Sequence, residues 1–148
     1  MAGHHCRLTQ AAAIAALNAV VDLVDAGTPP GFLVLYTGAE PTHANDAAGT
    51  EVATCVLPTN AFSAASYNGT NHAAEASLTG VAIDPEATGN ASPVAYFRIQ
   101  NAAGTTIWQG TASATEGDDL VLTPAAIIDE GSRVEISTLV VKIGIDQA

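Results

Sequence analysis

Between Gln10 and Val24 the apolar positions recur at helical spacing. Ile14, Leu17, Val21 and Val24 stand three or four residues apart with Val20 beside them, while Asn18, Asp22 and Asp25 fall elsewhere on the wheel. Thr9 sits where an N-cap belongs, no Gly or Pro interrupts before Gly27, and Pro29-Pro30 prevents resumption. The pattern predicts one helix over 9–26. After Gly31 the period changes. Phe32-Leu33-Val34-Leu35-Tyr36 is a short continuous apolar run bounded by Gly31 and Thr37-Gly38, the form of a strand buried on both faces.

Further strands are expected at Glu51–Leu57, Leu78–Ile83, Val94–Gln100, Thr105–Thr111, Leu120–Leu122 and Val134–Ile143. Asn101-Ala102-Ala103-Gly104 reads as a four-residue hairpin loop, with Gly104 free to take positive φ. Asp129-Glu130-Gly131-Ser132 reads as a second tight turn, returning Ile127 and Ile128 toward Val134 and Ile136. In the last strand Val134 and Ile136 mark one face, and Leu139, Val141 and Ile143 mark the other. The parity therefore shifts near Thr138, as it does where a bulged strand bends to serve two sheets. The stretches Thr37–Gly49 and Thr59–Ser77 are rich in Gly, Ala, Asn, Thr and Ser and are expected to be long loops projecting from the ends of the fold.

One helix followed by short strands without strand–helix alternation predicts a mainly β chain: an antiparallel sandwich or jelly-roll-like domain preceded by one N-terminal α-helix. With 148 residues, a single domain is expected. Its parts are a flexible N-terminus over 1–8, the helix over 9–26 and the sandwich over 31–145. Alanine is the commonest member of the 48% apolar share, so the core is lean in large side chains.

Charge narrows the partners. Arg7, Arg98, Arg133 and Lys142 face 15 acids, giving −11. Such a field repels phosphate backbones and anionic lipid, so neither nucleic acid nor membrane is an expected partner. The longest apolar-rich run, Ala11–Val24, contains Asn18 and Asp22, and Met1–Gln10 does not lead into a signal-peptide core, so an unprocessed, non-spanning chain is expected. Two cysteines, Cys6 and Cys55, do not make a disulfide framework; free thiols in a reducing compartment are the default, and their pairing is left open.

Candidate chemistry is sparse. His4-His5-Cys6 has metal-ligand residue types, but adjacent side chains diverge and the chain offers no C-x-x-C or H-x-x-x-H partner. His43 with Asp46 and His72 with Glu75 each supply two ligands, which leave a tetrahedral site half empty. Glu116-Gly117-Asp118-Asp119 is the densest acidic patch but lacks the ligand series of an EF-hand, so a solvated turn is expected. There is no G-x-S-x-G elbow, Cys55 sits in a strand-like run, and Asn68-Gly69-Thr70 and Asn90-Ala91-Ser92 read as ordinary loops despite matching the glycosylation pattern. Trp108 is weighed as a core or interface anchor first and as a stacking platform second. No catalytic residue, metal site or cofactor is expected, and the chain is read as a non-enzyme.

The segment Ala16-Leu17-Asn18-Ala19-Val20-Val21-Asp22 through Asp25-Ala26-Gly27 runs on to Gly31-Phe32-Leu33-Val34-Leu35-Tyr36-Thr37-Gly38-Ala39-Glu40-Pro41. This resembles small tailed-bacteriophage virion proteins whose N-terminal helix ends in Asp-x-Gly and runs into a Tyr-x-Gly-x-x-Pro strand and turn. Ala95–Gly104 and Ile128–Ser137 look like the same group's hairpin and closing strand. The resemblance implies a head decoration or cement protein, made in the host cytoplasm and placed on the outer surface of the capsid. Its implied partners are the major capsid protein and further copies of itself, as a dimer or trimer. An outer position also suits −11, which would oppose contact with packaged DNA. The expected interface residues are Leu8, Ile14, Leu17, Val21 and Val24, with Phe32, Tyr36 and Trp108 as further anchors. The alternative for the helix is that it plugs its own sandwich. Alternatives for the whole are a sandwich that binds carbohydrate or cations through its loops, and a tail or neck subunit.

Overall fold

The computed structural model describes residues 7–123 and 126–144. Residues 1–6 of the flexible terminus expected over 1–8, the His4-His5-Cys6 cluster, a meeting of Cys6 with Cys55, and the last residue of the expected sandwich lie outside the described residues.

The helix α1 spans Gln10–Asp22, and the Thr9 hydroxyl caps it by accepting from Ala12 N at 3.2 Å. It stops short of 26 because the last turns tighten into i→i+3 bonds, Leu23 N to Val20 O and Val24 N to Val21 O, before Gly27 turns the chain at φ +91. Ala13, Leu17, Val21 and Val24 form its buried stripe, with Ile14 half-buried beside them.

Ten strands follow: β1 (Phe32–Thr37), β2 (Thr50–Val56), β3 (Ser66–Asn68), β4 (Ala73–Ser77), β5 (Ala82–Asp84), β6 (Val94–Gln100), β7 (Thr106–Ser113), β8 (Leu120–Val121), β9 (Val134–Ile136) and β10 (Val140–Gly144). They make a curled seven-stranded sheet in the order β8-β7-β6-β1-β2-β5-β9 and a three-stranded sheet in the order β10-β4-β3. One core, shared by both sheets and the helix stripe, joins them into a sandwich-like, mainly β fold. All pairings are antiparallel except β7 with β8, which is parallel, so the larger sheet is mixed. The expected hairpin joins β6 to β7, with Asn101 N donating to Thr105 O and Gly104 at φ +79.

The run expected as one strand over 134–143 divides at 137–139. β9 completes the large sheet beside β5, and β10 joins the small sheet beside β4. Leu139 lies in the core between them, and its carbonyl accepts from Leu78 N at 2.9 Å. The turn at 129–132 forms, but Ile128 bridges Asn90 while Val134 and Ile136 pair with β5. The expected strand over 78–83 is likewise broken: Leu78 bridges Phe62, Thr79 bonds back to the backbone of Asn60 and Ala61, and only 82–84 enters the large sheet. Asp84 then extends the β2–β5 pairing with its side chain, accepting from Thr54 N at 2.8 Å and from Glu86 N at 3.0 Å.

The two stretches expected as projecting loops do not project. Residues 59–77 contain β3 and β4, and α1 packs on this small sheet. Ala74 and Ala76 present small side chains to the core there, which lets helix and sheet approach closely. Two side chains of the helical segment pin the neighbouring backbone: Asn18 Oδ1 accepts from Ala65 N at 2.8 Å, and the Asp25 carboxylate accepts from Ala61 N.

Residues 38–49 fold back over the outer face of the large sheet as a strap. Alternation along β1 sends Leu33 and Leu35 to the main core and Val34 and Tyr36 to this outer face, where they cluster with Tyr96. Tyr36 and Tyr96 stack at 5.1 Å between centroids. The strand is therefore buried on both faces, as its continuous apolar run requires.

Candidate functional site

The strap is held by polar groups on β6 and β7. Gly49 N donates to the Tyr96 hydroxyl at 2.6 Å, Arg98 Nη2 donates to Asp46 O at 2.9 Å, and Gln109 Nε2 donates to Pro41 O at 2.6 Å. Arg98 is 5% exposed and lies 5.9 Å from the centroids of both Tyr36 and Tyr96, with Nε donating to Gln109 Oε1. The rings and a carbonyl stabilise this guanidinium where a carboxylate would be the usual partner. Desolvation, followed by the charge of Glu51, pushes the Tyr36 hydroxyl above its ordinary pKa. Arg98 is a structural clamp that the sequence reading passed over. Its signal was a lone cation sharing the parity of Tyr96 and Gln100 within an apolar strand.

Two depressions mark the surface of the described residues. The larger, about 500 Å3, lies between the outermost strands of the curled sheet: Leu120, Val121 and Leu122 form one wall and Val134, Glu135 and Ile136 the other. Ile127 and Val121, 52% and 44% exposed, are among the most exposed large apolar residues of the described chain. The smaller, about 440 Å3, is flanked by Trp108 and Phe97 on one side, Leu139, Val141 and Lys142 on the other, and Asp118 and Asp119 at its rim. Trp108 packs against Phe62 at 5.4 Å, tilted by 58°.

The residues expected at an interface separate into groups. Leu17, Val21 and Val24 are occupied by the chain's own core, and Ile14 packs at its margin. Phe32 and Tyr36 belong to the outer-face cluster beside the strap, Trp108 borders the smaller cleft, and Leu8 stands 41% exposed ahead of the helix. The structure brings Phe32 and Tyr36 together and keeps Trp108 apart from both.

The chemical candidates are absorbed locally. Asp46 accepts from His43 N in a backbone turn. The His72 ring meets the Tyr67 hydroxyl at 3.4 Å, while Glu75 is bonded by Asn68, Asn71 and Lys142. Those amide donors, Asn71 first, hold the Glu75 carboxyl below its ordinary pKa. Asp119 Oδ2 accepts from Thr111 N and Thr111 Oγ1, and Asp118 accepts from the Ser113 hydroxyl, so the acidic patch ties β8 to β7. Asn68 and Asn90, of the two glycosylation-like triplets, cap their own turns through Oδ1. Cys55 is fully buried and its thiol is pushed up to about 12 by desolvation and the nearby Asp84, the reverse of an activated nucleophile. Among the described residues no cluster of three or more His, Cys, Asp or Glu is arranged to hold a metal, and no helix is long and apolar enough to cross a membrane. Of the cations, Arg98 is buried, and Arg133 and Lys142 pair with Glu135 and Glu75 at 2.6 and 3.4 Å.

No protein-family model matches the chain, and no curated protein and no solved structure matches it either.

Proposed function

We propose that the chain is a non-enzymatic structural protein of a tailed-phage virion, a decoration or cement subunit that binds the major capsid protein on the outer surface of the head. The observation that carries this reading is where the phage-like segments fall. The stretch 16–27 is the helix and its glycine stop, 31–41 is β1 and the start of the strap, 95–104 is β6 and its hairpin turn, and 128–137 is the turn and β9. The first three are contiguous in the fold: β1 pairs with β6, and the backbone at Gly31 lies against Val24 and Gln100. The resemblance therefore describes a packed unit. The charge supports an outer position, since the carboxylates outnumber the cations by 11.

A cement subunit stabilises a shell by binding the assembled lattice more tightly than separated capsomers, so its binding free energy adds to shell stability by linkage. Electron cryo-microscopy of intact particles tests the placement: density for this sandwich on the head exterior is expected, and density on the tail or neck would refute it. Heads lacking the protein should rupture at lower temperature, and an unchanged rupture temperature would count against stabilisation.

The Trp108 cleft favours a second reading, a sandwich that binds saccharide, because an aromatic face flanked by carboxylate and amine groups suits a polyol. A thermal-shift titration with mono- and oligosaccharides at millimolar concentration tests it, and unchanged melting would dismiss it.

A further inference from the structure

We infer that residues 38–49 form a lid, hinged at Gly38 and Gly49, over a binding site for a carboxylate centred on Arg98 and Gln109. The site is independent of any place in a virion. The two feet of the lid stand together, because Thr37 and Thr50, the residues just outside them, pair across β1 and β2. Gly38 takes φ +90, and a Cβ on Gly49 would collide with the Thr37 carbonyl, so glycine is favoured at one foot and required at the other. Such a segment can swing on its feet without disturbing either strand. It is also lightly held. None of its residues is buried, and only Pro41 and Ala44 are half-buried. Among the described residues its one backbone-to-backbone bond, Asp46 N to His43 O, stays within the segment. Among them, too, three side chains tie it to the body: Tyr96 at the Gly49 foot, and Arg98 and Gln109 between the feet. A segment with so few apolar contacts opens at a small fraction of the free energy of global unfolding.

The chemistry beneath the lid selects the ligand. Arg98 and Gln109 are cross-strand neighbours on β6 and β7 whose side chains meet at 3.3 Å, so two donors, Arg98 Nη2 and Gln109 Nε2, stand side by side. Both are engaged by main-chain carbonyls of the lid, those of Asp46 at 2.9 Å and Pro41 at 2.6 Å. Arg98 is 5% exposed and makes no ion pair with a described residue; the Glu51 carboxylate, one strand beyond β1, accepts from the Thr54 hydroxyl instead. The two lid carbonyls thus stand in for the two oxygens of a carboxylate. Lifting the lid frees both donors at once, with Tyr36 and Tyr96 as the aromatic wall beside the guanidinium. A carboxylate entering there replaces a neutral acceptor with an ionised one, a hydrogen bond roughly twice as strong, which offsets the cost of opening. The net charge of −11 does not bar an anion. Glu40 and Asp46 leave with the lid, and exposed charges farther away than about 8 Å are largely screened at physiological salt.

Cys55, fully buried in the main core, reports global unfolding and so separates the lid from the fold. The full chain is treated at physiological salt with phenylglyoxal, which modifies guanidinium groups, together with a thiol reagent, and Arg98 and Cys55 are followed by peptide mass spectrometry. Arg98 should be labelled in chains whose Cys55 is still free. Gln109→Ala, which removes one lid bond, should speed that labelling about fivefold. Millimolar benzoate should slow it severalfold relative to the same concentration of neutral benzamide, while labelling of the exposed Arg133 stays unmoved. Labelling of Arg98 only in step with Cys55, or at a rate that Gln109→Ala leaves unchanged, would overturn the lid. Equal protection by benzoate and benzamide, protection by neither, or equal slowing at Arg133 would overturn the carboxylate site.

Discussion

Replacing Leu17 by Ala asks whether α1 belongs to the chain's own fold or to a neighbour's surface. Leu17 is fully buried in the single chain, in the core it shares with Leu33, Leu35, Ala74 and Ala76. At about 0.8 kcal/mol per buried CH2, the three carbons lost represent about 2.4 kcal/mol of transfer energy. The cavity left beside a sheet that relaxes only partly raises the total to about 3–5 kcal/mol. For a domain of this size that corresponds to a Tm lower by about 6–20 °C. Ile14→Ala, at a half-buried position, should cost less, and Leu8→Ala, at an exposed one, should stay within about 0.5 kcal/mol. The assay is thermal and urea unfolding followed by circular dichroism, repeated over a hundredfold range of protein concentration. If the helix serves its own core, the loss in Leu17→Ala is the same at every concentration. A loss below about 1 kcal/mol, or one that appears only at concentrations where the chain self-associates, would refute the reasoning that assigns this stripe to the fold.

Three further outcomes follow from the geometry. Tyr96→Phe removes the acceptor of Gly49 N and should cost about 1–2 kcal/mol, with faster amide exchange across 38–49 and unchanged exchange in α1; equal changes in both would refute the strap's local attachment. In a Cys6→Ala chain, Cys55 should resist thiol reagents until the chain unfolds. Because folding raises its pKa from 9.0 to about 12, stability is fully present below the lower value and falls as pH rises through the upper one; a Cys55→Ala chain with the same slope in that window would contradict this. The Glu75 carboxyl should titrate below 4.5 by NMR and move upward in Asn71→Ala, since its folded pKa is depressed and the associated stability is lost as pH falls through it; an unmoved titration would show that the Asn71 amide is not its main support.

Periodicity exposed the elements whose burial is one-sided or complete: α1, β1, β6 and the hairpin at Asn101–Gly104 were readable because their side chains alternate with the faces they serve. The parity shift near Thr138 likewise foretold a strand divided between two sheets. β3 and β4 were hidden because Ser66-Tyr67-Asn68 and Ala73-Ala74-Glu75-Ala76-Ser77 contain no β-branched residue, and their conformation is imposed by the helix and β10 packed beside them. The strap was hidden for a different reason. Gly, Pro and Asn read as solvent-facing loop, and its anchoring groups, Tyr96, Arg98 and Gln109, lie about fifty or more residues farther along the chain. The groove was illegible because it belongs to no segment: it exists only where a curling sheet brings its first and last strands near each other.

The passage of the backbone from β9 to β10 has a mechanical consequence. The chain also crosses between the sheets from β2 to β3 and from β4 to β5, and Leu139 at the third crossing accepts from Leu78 N at the second, so covalent chain joins the layers along this side and side-chain packing holds them under β6 and β7. A load that slides one sheet past the other pulls on a peptide backbone here and only on contacts there. The three crossings thus act together as the spine of the sandwich, about which the layers hinge before they part.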